Sequence, residues 1–600
     1  MPDNQENSFQ KLMHRLRASM FSAGSYEFGT ITILAVVIGV VAGYGAIGFY
    51  LGIAEVLKLG FGVHEALLAT NVSDLPAWQI IGVPVAGGLI VGQLLRFIPT
   101  RQPLGVSHVI EASALHNSKI DTKGGLVSAA VTIISLGSGA SMGREGPVVH
   151  LGATLASLLT KVMNLNPAVA RTLLGCGVAA AVAASFNAPI AGVFFALEVI
   201  IGHYALHAFA PIVIAAIAGT LVSRAHLGDF PAFHITDYVI VSFWEFPAFF
   251  LLGVAAALVA VTFMAGLNWA DHFRARLKKI PFWLFPAIAG FLVGLIALAY
   301  PEILSVGYEP VSLALNGGYG FELLIALLLA KILATIICYG GRFGGGFFSP
   351  SLFIGAMTGG AFGIVAASLF PELASTPGLY AIVGMGAVAS AVLGAPISTM
   401  LIVFEITGDY NVTIAVMVAS AVASNVTSFF YRRSIFFMQL ANRGIWLEGG
   451  KATYLLRSAK VADHMSRDFF TVSENEPAEK ARELLAAQGG GILIVTDASG
   501  TMLGTVGFNQ LPSGIFEDGT AQTHTVAEFL RTACQTVKAT DALQVAMTSM
   551  DSSGEDILPV LSPEQKGLVV GVINHRHVMR EYNRALLESQ GQDRKVGQRE

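Results

Sequence analysis

Leu136–His150, LGSGASMGREGPVVH, sets Arg144 beside Glu145 in a region otherwise built of apolar and small residues. An ionisable pair at membrane depth is costly, so it marks function by default. Gly137, Gly139, Gly143 and Gly146 let backbone approach closely, and Pro147 suits the first position of a helix that runs on as VVHLGATLASLL. The free N–H groups and positive dipole end of that helix would face whatever lies beside Glu145, which is the chemistry of an anion site. A capped helix with a surface salt bridge is the plainer reading, and the apolar flanks argue against it.

The elements that must hold this stretch are membrane helices. Only 13% of the 600 residues are charged and 54% are hydrophobic, with a mean hydropathy of +0.64. An ordinary soluble enzyme would carry about a quarter charged residues. Long uncharged runs end near residue 441, and the composition after it is that of a soluble domain. A net charge of −4 offers no basic footprint for nucleic acid, and Cys176, Cys338 and Cys534 form no metal-binding or disulfide pattern. The first 22 residues, with Lys11, Arg15 and Arg17, lack the apolar core of a signal peptide and read as a cytosolic lead-in.

Residues 31–54 form a first run long enough to span a bilayer, for which about 20 residues suffice. Trp78–Leu95, Phe209–Val222, Pro247–Ala270 and Pro281–Tyr300 follow, interleaved with shorter pieces broken by Gly, Pro, Ser and Asn. Broken helices are tolerated in a membrane only where buried in protein or lining a polar cavity, so they point to a transport pathway. Basic groups at Arg15 and Arg17, at Arg274, Arg276, Lys278 and Lys279, and at Arg432, Arg433 and Arg443 assign all three regions to the cytoplasmic side. Both termini are then expected in the cytoplasm, with an even number of crossings in each half.

The chain also repeats itself. Gly175–Ile201 is similar to Gly384–Thr407, each with an Ala-Pro step followed by a glutamate nine residues beyond the proline, Glu198 and Glu405. Upstream of each copy stands a glycine-rich turn ending in proline, GREGP at 143–147 and GGGFFSP at 344–350. Paired interrupted segments in two halves point to a substrate site at their interface, so one ligand should contact both turns.

GREGP together with a GxFxP element at Gly346–Pro350 resembles the CLC family of chloride channels and proton-coupled chloride antiporters, over about residues 29–441. The resemblance implies a polytopic α-helical membrane protein of two inverted structural repeats with about eighteen helices. It implies a homodimer in the lipid bilayer of the cell (inner) membrane, each subunit carrying chloride or a similar small anion along its own pathway. Glu145 matches the gating glutamate, which occupies an anion site when ionised and leaves it when protonated. The expected anion-binding set is Gly143, Arg144, Gly146, Gly346, Phe347, Phe348, Ser107 and Phe436, with no metal. A carboxylate suits such a gate because it mimics a bound halide in charge and is switched off by one proton.

Three positions depart from the family pattern. Leu104 falls where a coordinating serine is usual, leaving either no hydroxyl or Ser107 in its place. Phe436 replaces a tyrosine donor, and Val199 replaces the internal proton-transfer glutamate of coupled members. Glu198 reads as a structural cap matched by Glu405, and His108 and His150 as structural residues that could carry protons only secondarily. Val199 favours a channel-like or uncoupled mode, with an antiporter using another proton route as the alternative.

After a linker at 442–460, residues 461–516 and 526–583 each read as βαββα and resemble a tandem CBS pair opening with VADHM and VAEFL. Such pairs bind adenosine nucleotides through an aspartate after the last strand; Gln510 and His577 stand there, so no cofactor is expected. Residues 1–28 are assigned as the N-terminal segment and 584–600 as a disordered tail. A membrane sensor working through the CBS pair is a second alternative. With no HExxH motif and no nucleophile–base spacing, the chain is not read as an enzyme.

Overall fold

The computed structural model describes residues 26–63, 65–202, 206–229, 233, 239–431, 434–447, 454, 456–489, 491–518, 520–565 and 567–594. The chain divides into two units, Met1–Gly444 and Ile445–Glu600. Arg15, Arg17, Arg432 and Arg433, and most of the expected N-terminal segment, lie outside the described residues.

The first unit is helical. Its first half runs α1 (Tyr26–Phe61), α2 (Ala77–Leu94), α3 (Val106–Leu115), α4 (Thr122–Gly137), α5 (Glu145–Val162), α6 (Pro167–Phe186), α7 (Pro189–Phe195) and α8 (Leu206–Leu227). The second half repeats the order as α9 (Phe246–Arg276), α10 (Phe285–Ala297), α11 (Tyr308–Leu315), α12 (Phe321–Gly340), α13 (Phe348–Leu369), α14 (Pro377–Leu393), α15 (Pro396–Thr407) and α16 (Tyr410–Phe430), and α17 (Ile435–Asn442) closes the unit. Among the described residues, 8 helices are long and apolar enough to cross a membrane. The shorter helices, such as α3, α4, α7 and α15, are the interrupted pieces expected beside a pathway.

The repeat is visible atom by atom, and it is inverted. Gly143 N–H donates to Gly346 O at 2.8 Å while Gly346 N–H donates to Gly143 O at 2.6 Å, an antiparallel bridge that is its own image under a two-fold rotation. Around it, Gly344 N–H donates to Ser135 Oγ at 2.9 Å and Ser141 N–H to Cys338 Sγ at 3.2 Å, the same contact made once from each half. Left-handed residues end α6 and α14, Asn187 at φ 56° and Gly394 at φ 63°, so that each chain can turn at once into the proline-led helix that follows.

Close helix crossings are duplicated as well. A Cβ on Gly152 of α5 would meet Gly177 O of α6 at 2.4 Å, and one on Gly355 of α13 would meet Gly384 O of α14 at 2.4 Å. Glycine at these positions lets the backbones touch, which is how helices gain packing energy where lipid removes the hydrophobic drive.

The second unit holds two sheets of three strands. β1 (Thr471–Ser473), β2 (Ile492–Thr496) and β3 (Met502–Gly507) form the first, and β4 (Val537–Lys538), β5 (Ile557–Leu561) and β6 (Val569–Asn574) the second. In each the first pairing is parallel and the next antiparallel, with a register shift at Val495/Thr496 and again at Val560/Leu561. The helices are α18 (Ala478–Ala487), α19 (Leu543–Ser553) and α20 (His575–Arg594).

The two copies exchange their opening segments. Val461, from the first, packs in the core with Val537, Val560 and Ile573, while Val526, from the second, packs with Val472, Leu493 and Val506. Sequence boundaries at 461–516 and 526–583 therefore do not coincide with the spatial halves. Of the tail expected at 584–600, residues 584–594 continue α20 as helix, and 595–600 lie outside the described residues.

Candidate functional site

The bridge between Gly143 and Gly346 joins two turns, and each turn opens a helix into the same space. Neither α5 nor α13 has a side-chain N-cap, so their first-turn N–H groups are left for another acceptor. The helices begin at Glu145 and Phe348, so Pro147 and Pro350 are third residues rather than first; the missing N–H is still harmless there. Gly146 and Gly346 lie back to back, a Cβ on Gly146 meeting Gly346 Cα at 3.2 Å. Only glycines let the turns come this close.

Glu145 is 2% exposed. Its Oε1 accepts from the Tyr308 hydroxyl at 2.7 Å, and its Oε2 accepts from the Ser349 hydroxyl. The carboxylate thus bridges the halves, held by one donor from α11 and one from the first turn of α13. It lines a cavity of about 320 Å³ together with Ser107, Gly146, Gly346, Phe347, Phe348 and Phe436. Six of the eight expected anion-site residues therefore share one cavity with the expected gate.

The other two are placed differently. Gly143 spends its N–H on Gly346, as Gly346 does on Gly143, so these two build the cradle and offer it no free amide. Arg144 turns away into a second cavity of about 400 Å³, where its Nη1 meets Glu65 Oε1 at 3.1 Å. Its guanidinium lies 4.6 Å from the Tyr308 ring centre and 5.1 Å from that of Tyr50, and its Nε is 3.8 Å from Glu145 Oε1. Phe186 lines both cavities, and its ring is 4.9 Å from that of Phe348. Phe186 thus borders both spaces, with Glu145 lining the first and its neighbour Arg144 the second.

At the departures from the family pattern, Leu104 has its N–H bound to Ser128 Oγ at 2.7 Å, and Ser107, two residues into α3, lines the first cavity. Phe436 is buried there without a donor. Tyr339 lines the same cavity, but its hydroxyl donates to Asp271 Oδ2 at 2.8 Å. Val199 sits buried in a π-helical turn, Ala196–Ile201. His108 accepts the Gly105 N–H at 3.2 Å, bracing the start of α3, and its ring is 6.4 Å from that of His150.

Glu198 and Glu405 are reciprocal caps. Glu198 accepts from Ile397 and Ser398 N–H at 3.1 and 2.9 Å, opening α15, and Glu405 accepts from Ile190 and Ala191 N–H at 2.9 and 2.8 Å, opening α7. Each half caps the other. Tyr308 and Glu65 carry no sequence mark, since they reach Glu145 and Arg144 from distant chain, while Ser349 lies within the GGGFFSP turn without a role that the pattern assigns. Lys331, fully buried, donates to Ile303 O and Ser305 O at 3.0 Å each and so fixes the turn that delivers Tyr308.

In the second unit, Gln510 Oε1 accepts the Gly507 N–H at 2.7 Å and His577 N–H donates to Asn574 Oδ1 at 2.9 Å. Both residues at the expected nucleotide positions serve local turns.

Inverted repeats, uncapped helix ends facing one another and a buried carboxylate lining a cavity define a membrane protein of the transporter and channel class. The family model described as "Voltage gated chloride channel" matches residues 87–428, and the chain belongs to that family. The model of the CBS domain matches residues 461–511. The ClcB-like protein of Ralstonia nicotianae is 33% identical over 366 residues, covering 60% of this chain and 84% of that one. The H(+)/Cl(-) exchange transporter ClcA of Vibrio cholerae is 32% identical over 292 residues, covering 48% of this chain and 62% of that protein, so the chain spans less than two thirds of it. Among solved structures, a slow cyanobacterial Cl-/H+ antiporter superposes with a TM-score of 0.62 at 24% identity, covering 69% of this chain and 97% of that one.

Proposed function

We propose that the chain passes chloride, or a similar small inorganic anion, across a membrane through a pathway gated by Glu145, one pathway in each subunit of a homodimer. The observation that carries this reading is the position of the Glu145 carboxylate. It sits at the two uncapped helix ends, hydrogen-bonded by Tyr308 and Ser349, where a halide would meet the same donors. Backbone amides and hydroxyls bind weakly enough for an anion to leave again. Protonation removes the charge that keeps the carboxylate there, and a competing anion does the same by occupancy.

The valine at 199 favours uncoupled passage, because it cannot carry a proton and the carboxylate beside it, Glu198, is taken up in capping α15. Proton-coupled exchange is the second reading, favoured by the likeness to the H(+)/Cl(-) exchange transporter of Vibrio cholerae. Reconstitution in liposomes under a chloride gradient, with internal pH followed by a dye, separates the two. Chloride efflux without proton movement is expected; uphill proton movement assigns the chain to the exchangers, and absence of any anion flux removes the transport reading and leaves the sensor alternative.

A further inference from the structure

Arg144 stands between two carboxylates, and only one of them is the gate. Glu65 holds its Nη1 at 3.1 Å from one side while Glu145 Oε1 lies 3.8 Å from its Nε on the other. Glu65 belongs to the turn Glu65–Leu67, outside both gate motifs. Its placement is built rather than incidental. The helix that follows it, Leu68–Val72, is anchored by Glu309, which accepts from Ala69 and Thr70 N–H at 2.7 and 3.3 Å. Glu309 is the neighbour of Tyr308, whose hydroxyl holds Glu145. One dipeptide at the head of α11 thus fixes both carboxylates around one guanidinium.

We propose that Glu65 is a positioning residue for the gate: by sharing Arg144 with Glu145, it sets the pH at which the Glu145 carboxylate leaves its site. The inference rests on Glu145 being the gate. The direction follows from charge. Ionised Glu65 neutralises part of the Arg144 field and adds a negative charge nearby, and both effects weaken the hold of Arg144 on ionised Glu145. The Arg144 guanidinium lies over the rings of Tyr50 of α1 and Tyr308 of α11, contacts that hold it between the two acids. The other ionisable groups facing Glu65 are Glu309 and Glu302, which line the adjoining crevice. Glu65 Oε2 is buried without a hydrogen-bond partner among the described residues, so Arg144 is the one cation holding this carboxylate there.

The test is chloride efflux as a function of pH from liposomes holding the full chain. Glu65→Gln is expected to move the half-maximal flux toward acid by about one pH unit, a tenfold rise in the proton concentration needed. Glu65→Asp, with its carboxylate drawn back by one methylene, should fall between that variant and the natural chain. Glu65→Gln in a Glu145→Gln background should leave flux independent of pH. An unchanged midpoint in Glu65→Gln, even with flux uniformly reduced, overturns the proposal and assigns Glu65 a structural role. If Glu65→Gln does not fold, the midpoint of Glu65→Asp decides alone: an acid shift supports the proposal, no shift overturns it. Persisting pH dependence in Glu145→Gln by itself is a failure of the gate reading instead, and is distinguishable from these results.

Discussion

At the turn before α5 stand Arg144 and Glu145; at the equivalent turn before α13 stand Phe347 and Phe348. The surrounding backbone is shared almost bond for bond, from the Gly143–Gly346 bridge to the Ser135 and Cys338 contacts and the Glu198 and Glu405 caps. One half therefore carries charge and the other aromatic surface on a common frame. The lesson is a division of labour: symmetric residues hold the cradle, and the asymmetric ones are those to which the proposed function gives the gate and the anion. A symmetric pair of carboxylates at the cradle would repel each other, whereas one carboxylate against a phenylalanine leaves a single titrating switch.

That comparison can be broken at the switch first. Glu145→Gln should abolish the pH dependence of chloride flux in liposomes, the largest effect expected; flux that still rises with acidity would take Glu145 out of its role. Next come the paired crossings. Gly152→Ala and Gly355→Ala should each lower stability by about 1–3 kcal/mol, through the same overpacking against a carbonyl. Thermal unfolding in detergent measures both, and a large effect in one half alone would show that the frame is not shared.

Tyr308→Phe sharpens the asymmetric side. It removes a donor to the ionised carboxylate, so the neutral form gains and half-maximal flux should move to higher pH by about 0.5–1 unit, opposite in sign to Glu65→Gln. Glu198→Gln and Glu405→Gln test the symmetric side: each should cost about 1 kcal/mol of stability as a weakened helix cap while leaving the pH profile of flux in place. A moved profile in Glu198→Gln alone would make it a proton carrier.

The smallest effect lies in the second unit, where the copies also differ. The β2–β3 turn is tied by Asp497, held below the usual carboxylate range by the Ser499 hydroxyl and by N–H groups of Thr501 and Ser499. In the matching turn after β5, the Ser562 hydroxyl accepts from Glu564 and Gln565 N–H, each at 3.3 Å. A depressed carboxylate stabilises the fold above its unfolded pKa, and the gain is lost as pH falls below the ordinary carboxylate range. Asp497→Asn should slightly lower the unfolding midpoint at neutral pH and flatten its fall in acid, with Ser562→Ala insensitive to pH.

Much of the frame was legible in the sequence because it is written in local chemistry. Prolines opening helices, glycines at turns and the repeated Ala-Pro with its glutamate follow from backbone rules that act over a few residues. The spacing of Glu198 and Glu405 even suggested capping, though not that each caps the opposite half. Tyr308 and Glu65 were invisible because nothing in their own segments marks them, and Ser349 lay in a marked turn without its role being legible; their meaning comes from a fold that brings them to Glu145 and Arg144. The exchanged openings of the CBS copies were missed for the same reason, since Val461 and Val526 satisfy an apolar pattern equally well in either core.

The Gly143–Gly346 bridge also limits how the pathway can move. Two hydrogen bonds, of 2.8 and 2.6 Å, rivet the halves beside the cavity, so prising them apart would break both at once. On the proposed gating by Glu145, opening is then cheapest as the swing of one side chain on a fixed chassis. Its pace is set by rotation about a few single bonds and by the arrival of a proton or an anion, and the bulk of the protein need not travel.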